Sequence, residues 1–354
     1  MTLHIFNPEH DIALATNLSN FTAPHAGRQL RNDLGFLPAL WAEDGDQILV
    51  SHEEVAMKQY RRICHRLKTL GITESLPAVN PKFTSSKVAV YRQETSSLQP
   101  WGWDKAIRRE LERMGFLEPL LPTMEQTELV RQLSHRRTSA QLLPLLQMEG
   151  TVGEARECTT TEQVTNLLQH QESLVLKAPW SSSGRGVRFV RSVEELSIVM
   201  NWISNILKTQ GSIMAEPYYN KVKDFGMEFM ADENGGIHYL GLSLFHTVNG
   251  AYEGNVLATE SVKQEMISRY VPACMLDSVK HKIIEHLRLD GYVGPFGIDM
   301  MVTKEGFHPC VEINLRRTMG HVALAISPTD DDIRGVMRVI YDGNHYKLKI
   351  NKLR

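Results

Sequence analysis

Cysteine is scarce, with four in 354 residues. Cys64, Cys158, Cys274 and Cys310 are scattered and form no CxxC pair, which excludes a disulfide framework and a cysteine zinc site and makes a reducing cytoplasm the expected compartment. Charge of one sign is also missing. A net charge of -2 gives neither nucleic acid nor an anionic membrane a reason to bind. Long hydrophobic runs are absent: Leu142–Leu146 is broken by Pro144, far below the roughly 20 residues that span a bilayer. No basic segment precedes an apolar stretch at the start, so no signal peptide is expected. The hydrophobic fraction of 42% and charged fraction of 23% are those of an ordinary globular protein, long enough for two or three cores.

The first third alternates strand and helix signals. Leu3–Phe6 is a short apolar run ending at Asn7-Pro8, and Gln47–Val50 is a second. Ser51 with Glu54 suggests a capping box for a helix that Gly71 ends. Lys87–Tyr91 is a third strand candidate. Asp104 would cap a helix carrying Ile107 and Leu111. Such alternation predicts a parallel, Rossmann-like sheet. Further on, Glu125–Leu146 reads as helical, interrupted by polar residues and Pro144. Ser173–Lys177 and Val187–Val190 read as strands, and Ser192 with Glu195 caps an amphipathic helix. Hairpin signals then dominate. Ile213–Glu216, Phe225–Ala231 and Ile237–Phe245 are strands, with Asn234-Gly235-Gly236 as a turn. A helix over Met275–Leu289 precedes Phe296–Val302 and Phe307–Leu315, which fold back around Lys304-Glu305-Gly306. Ser327-Pro328 would start a last helix. The second part is therefore α+β.

Chemistry-bearing residues concentrate in that second part. Ser182, Ser183, Gly184, Arg185 and Gly186 make a turn whose backbone N–H groups can gather around an anion, or a plain hairpin loop. Lys177 ends an apolar strand, where it meets an anion or carboxylate or else extends to solvent. Asp299 interrupts the run from Phe296 to Val302. Glu312 and Asn314 are two apart on the next strand and project to one face. Two carboxylates and an amide suit a hard cation such as Mg²⁺, although acids also alternate outward on ordinary half-buried sheets. Asn7 to Asp11 follow the first strand, where parallel sheets take ligands. His10 and Asp11 are accordingly candidates for substrate contact, or for a helix cap. His281, Glu285 and His286 lack metalloprotease spacing and read as a solvated helix face.

Taken in order, these segments resemble the ATP-grasp superfamily. Leu176-Lys177-Ala178-Pro179 with Ser182 to Val187 resembles its strand and glycine-rich loop. Gly297-Ile298-Asp299 and Val311-Glu312-Ile313-Asn314 resemble its metal-binding strands. Ile213 to Tyr218 is similar to its adenine segment, which implies nucleotide contacts by Glu216 and Tyr218 and ribose contact by Asp224. The resemblance covers roughly residues 120–345. It implies a Rossmann-like domain over 1–119 before an ATP-grasp domain of two α+β subdomains over 120–354. It also implies ATP and Mg²⁺, with the metal on Asp299, Glu312 and Asn314. Two departures stand out. The upstream nucleotide-binding Lys is replaced within His135-Arg136-Arg137, with Arg137 as the expected substitute and Arg136 the other choice. Gly297 stands where many members carry an Arg, and Arg316 and Arg317 are the expected catalytic cations in its place.

The activity implied is that of an ATP-dependent carboxylate–amine ligase. Such an enzyme activates a small-molecule or peptide carboxylate as an acyl-phosphate for attack by an amine, and the resemblance allows a homodimer. Two alternatives remain at this stage: a kinase of the same architecture acting on a hydroxyl, and a non-catalytic ATP-binding regulatory protein.

Overall fold

The computed structural model describes residues 1–72, 80–85, 94–181, 186–248 and 251–353. Its first sheet is built from β1 (Thr2–Ile5), β2 (Gln47–Leu49), β3 (Lys82–Thr84) and β4 (Ser97–Pro100). All three pairings are parallel, in the order β3-β2-β1-β4. Parallel strands need crossovers, and helices Glu53–Thr69 and Lys105–Arg113 pack their apolar stripes on opposite faces of this sheet. The Rossmann-like expectation is met here. The strand expected at 87–91 lies outside the described residues, and β3 and β4 went unread because Lys82-Phe83-Thr84 and Ser97-Leu98-Gln99-Pro100 each hold a single large apolar residue and make no apolar run.

The second sheet contains β5 (Arg156–Cys158), β6 (Leu174–Lys177), β7 (Val187–Val190) and β8 (Ile213–Pro217), ordered β5-β8-β6-β7 and antiparallel throughout. Helices Thr161–His170 and Val193–Gln210 cover one face around Leu176, Val190 and Ile203. The third sheet joins β9 (Lys221–Ala231), β10 (Ile237–Ser243), β13 (Gly294–Thr303) and β14 (Phe307–Asn314) in the order β10-β9-β13-β14. A fourth runs β11 (Phe245–Val248), β12 (Ala251–Leu257), β15 (Gly335–Tyr341) and β16 (Tyr346–Lys352).

Several local expectations need correction. The helix expected from Ser51 starts at Glu53 with His52 as an N-cap that makes no side-chain bond. The 125–146 region breaks at Ser134–Arg136, and Pro144 stays inside helix Arg137–Leu146. No helix starts at Ser327-Pro328. The final helix is Met319–Ala325, capped by Thr318, and the chain ends in β15 and β16. Asp104 does cap its helix, accepting from Ala106 N and Ile107 N at 2.9 Å. Among the described residues no helix is long and apolar enough to cross a membrane.

The largest core packs Phe225, Phe229, Phe296 and Ile298 of the third sheet against helices Arg137–Leu146 and Ala273–His286. A second core is shared between distant parts of the chain. Phe6, Ile48, Ile63 and Trp101 of the N-terminal unit pack with Val322, Met337, Leu348 and Ile350 near the C-terminus. The last sheet thereby clamps the N-terminal unit onto the strands that carry the candidate site. Met337→Ala, at a fully buried position of this shared core, should cost about 2–5 kcal/mol in denaturant unfolding. A loss well under 1 kcal/mol would show that the two ends of the chain are not mechanically joined.

Candidate active site

The strand register gathers the acids. Asp299 on β13 pairs directly with Glu312 on β14, and Gly297 pairs with Asn314. On the other side of β13, Asp299 faces Gly226 and Gly297 faces Glu228 of β9. Since residues two apart share a face, Asp224, Glu228, Asp299, Glu312 and Asn314 all project from one side of the sheet. Asn314 Nδ2 donates to Asp299 Oδ2 at 3.2 Å. Burial, then the Glu312 and Glu228 charges, push the Asp299 carboxyl up to about 8. The site thus holds more negative charge than its own cations offset, a condition that a divalent cation relieves. Among the described residues no three His, Cys, Asp or Glu side chains form a ready metal group. The donor set, two carboxylates and an amide on an open face, fits an ion such as Mg²⁺ completed by phosphate oxygens.

Three cations, Lys177, Arg136 and Arg316, surround this face. Lys177, only 7% exposed at the end of β6, meets Glu216 of the adjacent β8 at 2.5 Å. Arg136 Nη1 lies 2.8 Å from Glu312 Oε2, while its Nε donates to Ala178 O at 3.0 Å. Arg316 forks onto Asp11, both bonds 2.8 Å, and donates to Asn314 Oδ1 at 3.0 Å. Burial alone would raise Asp11 and lower Arg316; their pairing reverses both, holding the carboxyl below and the guanidinium above its ordinary range. Arg317 turns the other way, its Cζ 4.5 Å above the Trp41 ring. Burial brings its guanidinium down to about 10, and no carboxylate among the described residues lies within ion-pair reach of it.

The expected residues therefore divide. Lys177, Glu216, Asp299, Glu312, Asn314, Arg316 and Asp11 come together. Arg137 does not: it points outward, half exposed, and is bound to Glu157. Arg136 is the guanidinium that reaches the acids, because the turn at Ser134–Arg136 directs it toward Ala178 and Ser181. His10 is 1% exposed and bonded to Asp104 at 3.0 Å, yet it lines a small crevice with Asp11, Glu312 and Asn314. Asp224 shares the acidic face and takes Lys221 at 2.6 Å. Tyr218 is exposed and stands edge-on to Phe189 at 5.9 Å. Ser182, Ser183, Gly184 and Arg185 lie outside the described residues. Gly186 is described, and a Cβ there would fall 2.3 Å from that of Ser181, so only glycine fits.

Sequence reasoning missed Glu228. It is 4% exposed, and its Oε2 makes no hydrogen bond although His321 Nδ1 lies 3.0 Å away. That nitrogen accepts from Thr318 N at 3.1 Å, so it offers Glu228 a lone pair and not a proton. An acid inside the apolar run Phe225 to Met230 was the available signal. Glu228 also explains Gly297: a Cβ at 297 would sit 2.5 Å from Glu228 Oε2 and 2.9 Å from Thr318 Cγ2. The position where many ATP-grasp proteins carry an Arg is filled here by another strand's carboxylate. Gly297→Ala should therefore destabilise the fold by about 1–3 kcal/mol, read from the urea midpoint; an unchanged midpoint would mean that Glu228 yields freely.

Residues 154–314 match the family model described as "L-aspartate--L-methionine ligase, ATP grasp". No curated protein matches the chain. Solved structures similar to it include the N5-carboxyaminoimidazole synthetase of Staphylococcus aureus complexed with ADP. That likeness has a TM-score of 0.52 at 12% identity, over 97% of this chain and 83% of that one. The biotin carboxylase–βγ-ATP complex of Campylobacter jejuni gives a TM-score of 0.50 at 13% identity, over 96% and 75%. At such identities these likenesses are of fold, and they extend across the N-terminal unit as well as the region matched in sequence. The family match thus covers the nucleotide and acid strands, just under half of the chain, and supports an ATP-dependent ligase of the ATP-grasp type, while the structural likenesses show a shared fold.

Proposed function

We propose that this chain joins the carboxylate of one amino acid to the amine of another at the expense of ATP. The observation that carries the reading is the acidic face itself, where Asp299, Glu312 and Asn314 stand together with an excess of negative charge between Lys177, Arg136 and Arg316. The matching family model is named for an aspartate–methionine ligase, which makes L-aspartate and L-methionine the first pair to test. Magnesium held by Asp299, Glu312 and Asn314 would neutralise phosphate charge during transfer.

The remaining roles belong to the chain's own residues. Lys177 and Arg136 bind phosphate oxygens once Glu216 and Glu312 exchange them for nucleotide and metal. Ser182 to Gly186 cover the phosphates and keep water from the activated carboxylate. Glu216 and Tyr218 take the adenine side, and Asp224 the ribose. Arg316, fixed by Asp11, screens charge on the acyl-phosphate, and His10 and Asp11 form the substrate side; Arg317, turned onto Trp41, takes no part in this reading. The amine attacks the acyl carbon, the C–O bond to phosphate breaks, and inorganic phosphate leaves. The reading includes a division near residue 120, a homodimer and a cytoplasmic location, the last supported by four free cysteines.

Amine-dependent release of ADP and inorganic phosphate tests the reaction. Lys177→Ala should lower kcat by about 10²–10³-fold, and Glu312→Ala should abolish turnover. Phosphate retained on the acceptor would make the chain a kinase, and full turnover in Lys177→Ala would sink the assignment. The arginine correction has its own test by thermal stabilisation. ATP with magnesium at 100 times its dissociation constant should add about 2.7 kcal/mol to wild type and to Arg137→Ala. Arg136→Ala should lose most of it, and equal responses in the two variants would refute the distinction.

A further inference from the structure

A sizeable cavity lies outside the acidic face. It has a volume of about 640 Å³ and opens at the carboxyl ends of the first sheet. The chain steps from β1 outward to β2 and β3, then crosses to the other side of β1 to form β4. The loops after β1 and β4 diverge at this reversal, and such crevices are where open parallel sheets take ligands. Asn7 and Glu9 after β1, Ser51 after β2 and Asp104 after β4 all line it.

The facing wall carries four arginines and one acid, Glu110. Helix His25–Leu34 contributes Arg28 and Arg31, and helix Lys105–Arg113 contributes Arg109 and Arg113. Arg31 is already neutralised, with Glu9 at 2.9 Å and Glu110 at 2.8 Å. The other three retain spare donors. Arg28 donates to the Ala23 carbonyl, Arg109 meets only partly exposed Glu112 at 2.5 Å, and Arg113 has no carboxylate within ion-pair reach among the described residues. Ser19, Asn20 and Thr22 add hydroxyl and amide groups. Guanidinium forks around a polar opening select oxyanions, whose planar or tetrahedral oxygens match their paired N–H groups.

The cavity is also separate from the ligase site. None of Lys177, Asp299, Glu312, Asn314 or Arg316 lines it. Between the two stands a buried polar partition: Asn7 Nδ2 and His10 Nδ1 both reach Asp104 Oδ2, at 3.3 and 3.0 Å, and all three residues are 1–2% exposed. Asn7 and Asp104 face this cavity, whereas His10 faces the crevice beside Glu312.

We infer that the arginine-lined cavity is a second small-molecule site, which binds a metabolite through a carboxylate or phosphate oxyanion. Calorimetric titration of the full chain with inorganic phosphate and, separately, succinate tests this, in wild type and in the Arg109→Ala/Arg113→Ala double variant. Both arginines sit on an exposed helix face, where surface ion pairs contribute little to folding. Saturable binding of at least one probe is expected, weakened at least about tenfold in the double variant, the loss of one charge-assisted hydrogen bond. Phosphate binding alone would identify a phosphate ester as the ligand class, and succinate binding alone a carboxylate. ATP–magnesium binding should be the same in both proteins, so that failure here is separable from failure of the ligase reading. Absence of saturable binding by either probe, or equal binding in the double variant, overturns the inference.

Discussion

The pairing of β9, β13 and β14 is the constraint on which the candidate site depends. Asp299 faces Glu312 across one antiparallel ladder and Gly297 faces Asn314 across it, while β9 brings Glu228 and Asp224 to the same side. A slip of one residue would turn every one of these groups to the opposite face. Register is held by the apolar side chains that alternate with them, Phe225, Phe229, Phe296, Ile298 and Ile313, all buried in the largest core. Hydrophobic burial on one face thus fixes an electrostatically unfavourable cluster on the other.

That cluster persists because cations arrive from three separate parts of the chain. Lys177 comes with the second sheet, Arg136 from the turn before helix Arg137–Leu146, and Arg316 from the segment after β14. The helix is itself docked on β14, where Ser139 Oγ accepts from Ile313 N at 2.9 Å. Asp11 completes the arrangement from the N-terminal unit by holding Arg316 in a fork. The C-terminal strands make this contact dependable, because Met337, Leu348 and Ile350 share one core with Phe6 and Trp101. A site assembled from so many segments is precise only when all of them are folded together.

Local rules carried much of the architecture. The parallel first sheet, the hairpin of β13 and β14, the Asn234-Gly235-Gly236 turn and the Asp104 and Ser192 caps follow from strand alternation and capping chemistry within a few residues. The same range of interaction failed at Ser327-Pro328, where a favourable helix start was overruled because the chain must reach β15 and pair with β12. It failed also for the fourth sheet, where the pairing of β12 with β15 joins two local hairpins that are remote from each other in the chain.

The sequence by itself determined the chemistry: which acids, amide and lysine recur in ATP-grasp order, on strands whose two-residue period sets their shared face. It could not choose between Arg136 and Arg137, since adjacent residues differ only in the direction that a turn gives them. Nor could it find Glu228 beside Asp299, or an arginine-lined cavity drawn from two helices and four loops. Those depend on contacts between residues remote in the chain, and side-chain direction at such contacts is fixed by packing and register, which exist only in the folded molecule.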